Sequence, residues 1–278
     1  MGDVGMSYFL QHRQNNLWHG KFSLFPENIA LHGISTRQAG VSGKPYDFLN
    51  LAFHVGDDEA AVWKNRCIFA NSLEMKAEDI VSCQQVHGER IVRVTGDHRG
   101  MGAKSYGTAV PECDALMTDE PGLPLMLCFA DCTPVLFLDP ENKAVAIAHA
   151  GWKGTVKKIA QKTLLAMGRE FGTEPSKCLA GIGPSIGPCC YEVGDEVVEA
   201  CRKAFPGNEE KVLQERDGKI HMNLWRANRL QLVEAGMLPE NVESADTCTA
   251  CENSWYFSYR AAGGTTGRIA AMIALQKY

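Results

Sequence analysis

Residues 123–155 read LPLMLCFADCTPVLFLDPENKAVAIAHAGWKGT, and the fold of the chain is decided there. Leu123–Ala130 is apolar and strand-like, Asp131-Cys132-Thr133 breaks it, and Pro134–Leu138 is a second strand. Asp139-Pro140-Glu141-Asn142-Lys143 has the residue types of a turn. A third strand, Ala144–His149, runs into the glycine-bracketed corner Gly151-Trp152-Lys153-Gly154. If Asp139 pairs with Ala144, antiparallel register sets Pro134 opposite His149. Cys132 then lies at the same end of the hairpin as His149. A thiol and an imidazole at strand ends, beside a loop, are rigidly placed and accessible, as functional groups often are. Each also has an ordinary structural reading, since cysteine is a common core residue and a strand-end histidine is usually just hydrogen-bonded.

Outside this stretch the composition is that of a globular chain. It has 278 residues, 45% hydrophobic and 22% charged, enough to bury a sizeable core. A net charge of −5 and the lack of a basic stripe argue against electrostatic nucleic-acid binding. No apolar run approaches the ~18 residues of a membrane span. The N-terminal sequence MGDVGMSYFLQHRQNN is neither a secretory leader nor a good myristoylation match. Eleven cysteines, an odd count, suit a reduced, cytosolic protein better than a disulfide framework.

Residues 1–20 read as a loose segment and 21–278 as one domain. Phe22–Phe25 and Ile29–Ile34 suggest a hairpin, and Asn50–Val55 a short strand. Glu59–Leu73 has helical spacing, with Arg66 at the edge of its apolar face as a snorkelling stem or a guanidinium aimed into a pocket. Ile80–Val86 and Arg90–Val94 alternate as strands about a His87-Gly88-Glu89 tip, and Gly96–Pro111 reads as a mobile loop or lid. Thr155–Phe171 is amphipathic and helical, Cys178–Ile182 a strand, and Gly183–Glu192 irregular. Gly194–Ala204 and Asn223–Ala235 follow as helices, separated by a polar excursion at Pro206–Lys219. Trp255–Tyr259 and Ile269–Leu275 complete the strands, around a glycine-rich turn at Arg260–Arg268. These elements describe one α+β domain.

Eight motifs then fall in order along residues 31–275: STRQAGVS, NLAFHVGDD with Asn65-Arg66, QQVHG, FADCTPVLFLDP, AHAGWKGT, GPSIGPCCYEVG, LWRANRLQL and FSYRAAGGTTGR. Together they resemble the YfiH or peptidoglycan-editing-factor family, also called the laccase-like multicopper polyphenol oxidase family. The resemblance implies a single-domain layered α/β sandwich with mixed β-sheets, and a catalytic zinc held by His87, Cys132 and His149. It implies phosphorolysis of adenosine, inosine, guanosine and S-methyl-5′-thioadenosine, with hydrolytic deamination of adenosine. The partners are then purine nucleosides and phosphate, and the chain is a monomer or homodimer. Two departures are Ala39, where the family has glycine, and Lys153, where relatives often have arginine.

Two imidazoles and a thiolate leave a fourth position open, the pattern of catalytic rather than structural zinc. Arg66, Arg37 and Lys153 are candidates to add positive charge for phosphate, with Asn50 beside them as a substrate-binding candidate. Asp131 is a candidate outer partner for a ligand histidine. His54, Tyr191 and Tyr259 have core readings beside pocket ones. Cys248 and Cys251 form a CxxC without a convincing second pair, since Cys189-Cys190 is adjacent, and plain burial is the expected use. A copper-dependent phenol oxidase is one alternative, although a multicopper site needs more than the 8 histidines here. A cysteine hydrolase with Cys132 as nucleophile, acting on a peptidoglycan precursor, is another.

Overall fold

Asp139 and Ala144 face each other across the turn, and pairing runs back to Pro134 opposite His149, in the register expected from sequence. The Asp139 carboxylate fixes the turn by accepting from the backbone N–H groups of Glu141 and Asn142, both at 3.0 Å. The computed structural model describes residues 8–13 and 16–277. Its strands are β1 Phe9–His12, β2 Trp18–Lys21, β3 Ala30–Ser35, β4 Ile91–Arg93, β5 Ala115–Thr118, β6 Leu125–Phe129, β7 Thr133–Asp139, β8 Ala144–Ala150, β9 Leu179–Ile182, β10 Leu213–Arg216, β11 Lys219–Met222, β12 Val242–Ser244 and β13 Ile269–Leu275. Its helices are α1 Glu59–Ser72, α2 Trp152–Val156, α3 Ile159–Phe171, α4 Asp195–Ala204, α5 Glu209–Val212 and α6 Leu224–Glu234.

Two large sheets carry the fold, ordered β1-β2-β3-β13-β6 and β12-β9-β7-β8-β5-β4, with β10-β11 a separate ribbon. The larger sheet is mixed, because β4 runs parallel to β5 and β12 to β9. Period-two patterning stacks the layers. On β7 and β8, Leu136, Leu138, Val145 and Ile147 point between the sheets, where Leu125, Leu127, Ile269, Ala271 and Ile273 meet them. The alternate residues Val135, Phe137, Ala144, Ala146 and Ala148 face α3 and α6. Alanines along β8 let α3 seat closely. On the far side Met126, Cys128, Ala270 and Met272 pack against Phe69, Ala70 and Leu73 from the α1 region. The result is an α+β sandwich of helix, sheet, sheet and helix. No helix among the described residues is long and apolar enough to cross a membrane.

His149 has the same phase as Val145 and Ile147, so its ring enters the layer between the sheets at the strand's end. The Ala130-Asp131-Cys132 break is where the chain crosses from the five-stranded sheet to the six-stranded one. Asp131 takes a positive φ of 80° to make that crossing.

Several elements differ from the expectation. The first hairpin strand is Trp18–Lys21, and Phe22 and Phe25 turn inward to the core. Of residues 1–20, positions 1–7 and 14–15 lie outside the described residues, and Phe9–His12 pairs with Trp18–Lys21. Asn50–Val55 is not a strand. The buried Asn50 amide holds its own backbone neighbourhood through Ala52, and Phe53–Val55 closes into a 3-10 turn. Ile80–Val86 and Arg90–Val94 do not form a hairpin. Val81 bridges Leu125 and Cys83 bridges Val110, while β4 pairs with β5. Gly96–Pro111 is therefore tied down rather than loose, with Ser82 N–H donating to Met101 and Val110 N–H to Ser82.

The helix expected at Thr155–Phe171 breaks between α2 and α3, where Lys158 takes φ 64°. There α6 grips Thr155: Gln231 donates to its carbonyl at 2.9 Å and Asn228 to its hydroxyl at 3.3 Å. Asn223 caps α6 as expected, accepting from Arg226 N–H. The polar excursion contains α5, β10 and the start of β11. Trp255–Tyr259 is irregular, with turns at its two ends, and not a strand.

Candidate metal centre

Four elements bring the donors together. His149 comes from the end of β8, Cys132 from the crossing before β7, and His87 from the bend after residue 86. Asp114, just before β5, fixes two of these. Its carboxylate accepts from the backbone N–H groups of His87 at 3.0 Å and Gly88 at 2.6 Å. These bonds hold the bend in which His87 takes φ 58°, uncommon for a non-glycine residue. Asp114 Oδ1 also lies 2.8 Å from His149 Nδ1, and both side chains are buried. An ionised carboxylate only accepts, so Nδ1 carries the proton and Nε2 keeps its lone pair for the cluster.

His87 Nε2 lies 3.9 Å from Cys132 Sγ. The two imidazoles meet edge to face with centroids 4.8 Å apart. One donor atom from each of His87, Cys132 and His149 falls within 4.8 Å of the others, so the set can hold one metal ion. Gly151 leaves the room for it: a Cβ there would sit 2.8 Å from Cys132 Sγ and 3.3 Å from the His87 ring.

Electrostatics prepare the sulfur. Burial alone would push the Cys132 thiol up, but the His149 and His87 imidazoles outweigh it and bring it down to about 6. Burial likewise disfavours a charged His149, but the Cys132 sulfur and the Asp114 carboxylate raise it to about 9. Asp114 itself is held below the usual carboxylate range, burial being overcome by His149 and the backbone N–H groups of Gly88 and Val86.

The set opens into a cavity of about 550 Å³, a size suited to a small-molecule ligand. Its wall includes His54, Tyr191, Tyr259, Arg260 and Arg268. Arg268 donates from Nη1 to the carbonyls of Thr266 and Gly267. Arg260 donates to the carbonyls of Cys190 and Glu192, and its backbone N–H to Asp131 at 2.7 Å. A larger groove, about 680 Å³ and lined by Trp225, Arg226 and Arg229, holds none of the three donors.

The residues considered for substrate binding fall elsewhere. Arg66 is 4% exposed and donates to the carbonyls of Leu51, Gly102 and Ala103, with its guanidinium over the Phe53 ring. It is a buried brace, neither a snorkelling stem nor a group aimed into the cavity. Arg37 donates to the carbonyls of Asp47 and Asn253, and Lys153 is an exposed cation near the Trp152 ring. Neither lines the cavity. Asn50 reaches it indirectly, its Oδ1 accepting from Arg268 N–H at 2.9 Å. Asp131 is not the outer partner of His149; Asp114 is. Asp131 instead accepts from Thr249 and Arg260, bracing the cavity wall. His54, Tyr191 and Tyr259 are at the cavity rather than in the core.

Sequence reasoning missed Asp114, Arg260 and Arg268. The two arginines bracket the glycine-rich turn of the last motif, a pattern suited to anion binding. Asp114 had no local signal, because its partners are distant in sequence.

The comparisons accord with this architecture. The chain is 42% identical to "Purine nucleoside phosphorylase YlmD" of Geobacillus stearothermophilus, over 88% of this chain and 89% of that protein. It is 36% identical to "Adenosine deaminase RL5" of an unknown prokaryotic organism, over 86% of this chain and 91% of that protein. The crystal structure of YlmD from Geobacillus stearothermophilus superposes with a TM-score of 0.92 at 39% identity, covering 97% of this chain and 100% of that one. The family model described as multi-copper polyphenol oxidoreductase laccase matches residues 31–276, and the chain belongs to that family.

Proposed function

We propose that this protein is a zinc-dependent purine nucleoside enzyme. It cleaves adenosine, inosine, guanosine and S-methyl-5′-thioadenosine with phosphate, and deaminates adenosine with water. The observation that carries this reading is one cavity that joins a three-donor set, two arginines and two tyrosines. Relatives named as a purine nucleoside phosphorylase and as an adenosine deaminase support it.

The donor set suits zinc. A mixed nitrogen and sulfur set with one side facing a cavity is the pattern of a catalytic site. Two histidines and one cysteine also form the plane of electron-transfer copper centres, which add a distant axial methionine. Glutamine can take the methionine's place there; among the described residues lining this cavity Gln85 is of that kind, and its amide is tied to the Cys128 backbone N–H and carbonyl, both at 2.9 Å. When bound, zinc supplies Lewis-acid polarisation of the oxygen nucleophile, phosphate in one reaction and water in the other.

The chain's own residues do the rest. His149 is held by Asp114 through Nδ1, which fixes the ring and raises the basicity of Nε2. Arg268 and Arg260 offer positive charge to the phosphate oxygens. Tyr191 and Tyr259 offer aromatic faces to the purine. In phosphorolysis the C–N glycosidic bond breaks, a C–O bond to phosphate forms, and the purine leaves with a proton. Phosphate already in contact with the arginines is placed for attack on the anomeric carbon. In deamination, water adds at C6 and ammonia leaves.

Incubating the purified protein with adenosine should give adenine and ribose 1-phosphate with phosphate present, and inosine without it. Absence of both products from metal-replete protein would refute the reading.

A further inference from the structure

A second cluster lies outside this catalytic set. Cys189, Cys190, Cys248 and Cys251 bring their sulfurs within 4.8 Å of one another. Of the CxxC, for which the sequence suggests plain burial, Cys248 is buried and Cys251 is exposed, as is Cys189. Cys251 Sγ is 3.4 Å from both Cys189 Sγ and Cys190 Sγ. A disulfide would need about 2.05 Å. Four sulfurs around one zinc at about 2.3 Å lie about 3.8 Å apart, close to the spacing seen.

The backbone is built to keep the two segments together. Ser185 bridges Cys248 in parallel, and Thr249 N–H donates to the Ser185 carbonyl at 3.0 Å. The N–H of Gly187 points at Cys248 Sγ at 3.2 Å, and that of Cys251 also donates to this sulfur. Such bonds stabilise a thiolate as they do at metal sites. Gly187 permits the approach, because a Cβ there would meet the Trp225 ring at 2.6 Å and Cys248 Cβ at 3.1 Å. Adjacent cysteines are an unusual ligand pair, but here both sulfurs converge on Cys251.

We propose that Cys189, Cys190, Cys248 and Cys251 bind one zinc ion as a structural tetrathiolate centre, separate from the His87, Cys132 and His149 set. Four protein sulfurs leave no open position, so this ion organises the chain rather than meeting substrate. Binding releases the thiol protons to solvent. Donors this close surround a single ion rather than the wider cage of an iron–sulfur cluster. The centre ties the irregular 183–192 segment to the 247–252 turn. Each segment touches the cavity: Tyr191 follows Cys190 directly, and Thr249 donates to Asp131 at 2.7 Å. The second ion thereby sets the wall that faces the purine and phosphate.

The test is zinc content per chain, measured by plasma mass spectrometry on full-length protein purified reduced and without chelators. The expected values are two zinc ions for the native protein, one for Cys132→Ser, one for Cys251→Ser, and none for the double variant. Cys189 is exposed as Cys251 is, so Cys189→Ser serves if Cys251→Ser fails to fold. X-ray absorption on Cys132→Ser leaves the cluster untouched and should report an all-sulfur shell around zinc. One zinc in the native protein that disappears with Cys132→Ser would overturn the proposal. So would iron in place of zinc, or a disulfide among these four residues found by mass mapping of the unreduced native protein.

Discussion

Cys132→Ser is expected to lower phosphate-dependent release of adenine from adenosine by more than about 100-fold, and to abolish deamination with it. Removing an outer partner of a metal ligand typically reduces affinity or activity by about 10–100-fold, and removing the ligand itself should do more. The native sulfur is a thiolate near neutral pH, drawn down to about 6 by the two imidazoles. A serine hydroxyl in the same place stays protonated and is a harder, weaker donor. Asp114→Asn should fall in the 10–100-fold range, because it disturbs His149 and the His87 bend without removing a donor. Phosphorolysis and deamination measured on the same preparations decide the matter. Cys132→Ser that keeps native rates after losing the ion held by His87, Cys132 and His149 would break the assignment.

The second large effect is at Arg268. Arg268→Ala should raise the KM for phosphate about 10–100-fold, the range of one charge-assisted hydrogen bond, and change deamination far less. The contrast is Arg66→Ala. That guanidinium serves three buried carbonyls, so its loss should destabilise the fold by about 3 kcal/mol through unsatisfied acceptors. It should leave the KM for phosphate of the folded fraction unchanged. Steady-state kinetics with varied phosphate, alongside thermal melts, separate the two arginines. A phosphate KM that moves with Arg66 and not with Arg268 would reverse the assignment.

What could be read in sequence follows the range of the interactions. The register of the β7–β8 hairpin was legible to the residue, because turn chemistry and period-two register are local, although both strands run a residue or so further than expected. Strand Ile269–Leu275 and the Asn223 cap were legible for the same reason. The paired strands imagined around His87 failed because Ile80–Val86 finds its partners in residues far along the chain. The metal set itself came from the motif resemblance. The hairpin alone brought Cys132 towards His149, and nothing local placed His87. Asp114 was invisible, since its carboxylate acts on His87 and His149 from well away in sequence. Arg66 was ambiguous because a helix position does not reveal whether a guanidinium meets solvent, ligand or carbonyls. Cys248 and Cys251 looked solitary because the sulfurs that complete them sit some sixty residues earlier, in an adjacent pair that spacing rules discount.

The central claim is that His87, Cys132 and His149 share one ion whose open side faces the nucleoside cavity. Anomalous diffraction from crystals of the native protein, recorded on both sides of the zinc absorption edge, measures this directly. The account predicts a zinc peak bonded to His87 Nε2, Cys132 Sγ and the His149 ring, with its free side towards Arg268 and Tyr259. An active crystal form with no metal peak among these three residues would contradict it.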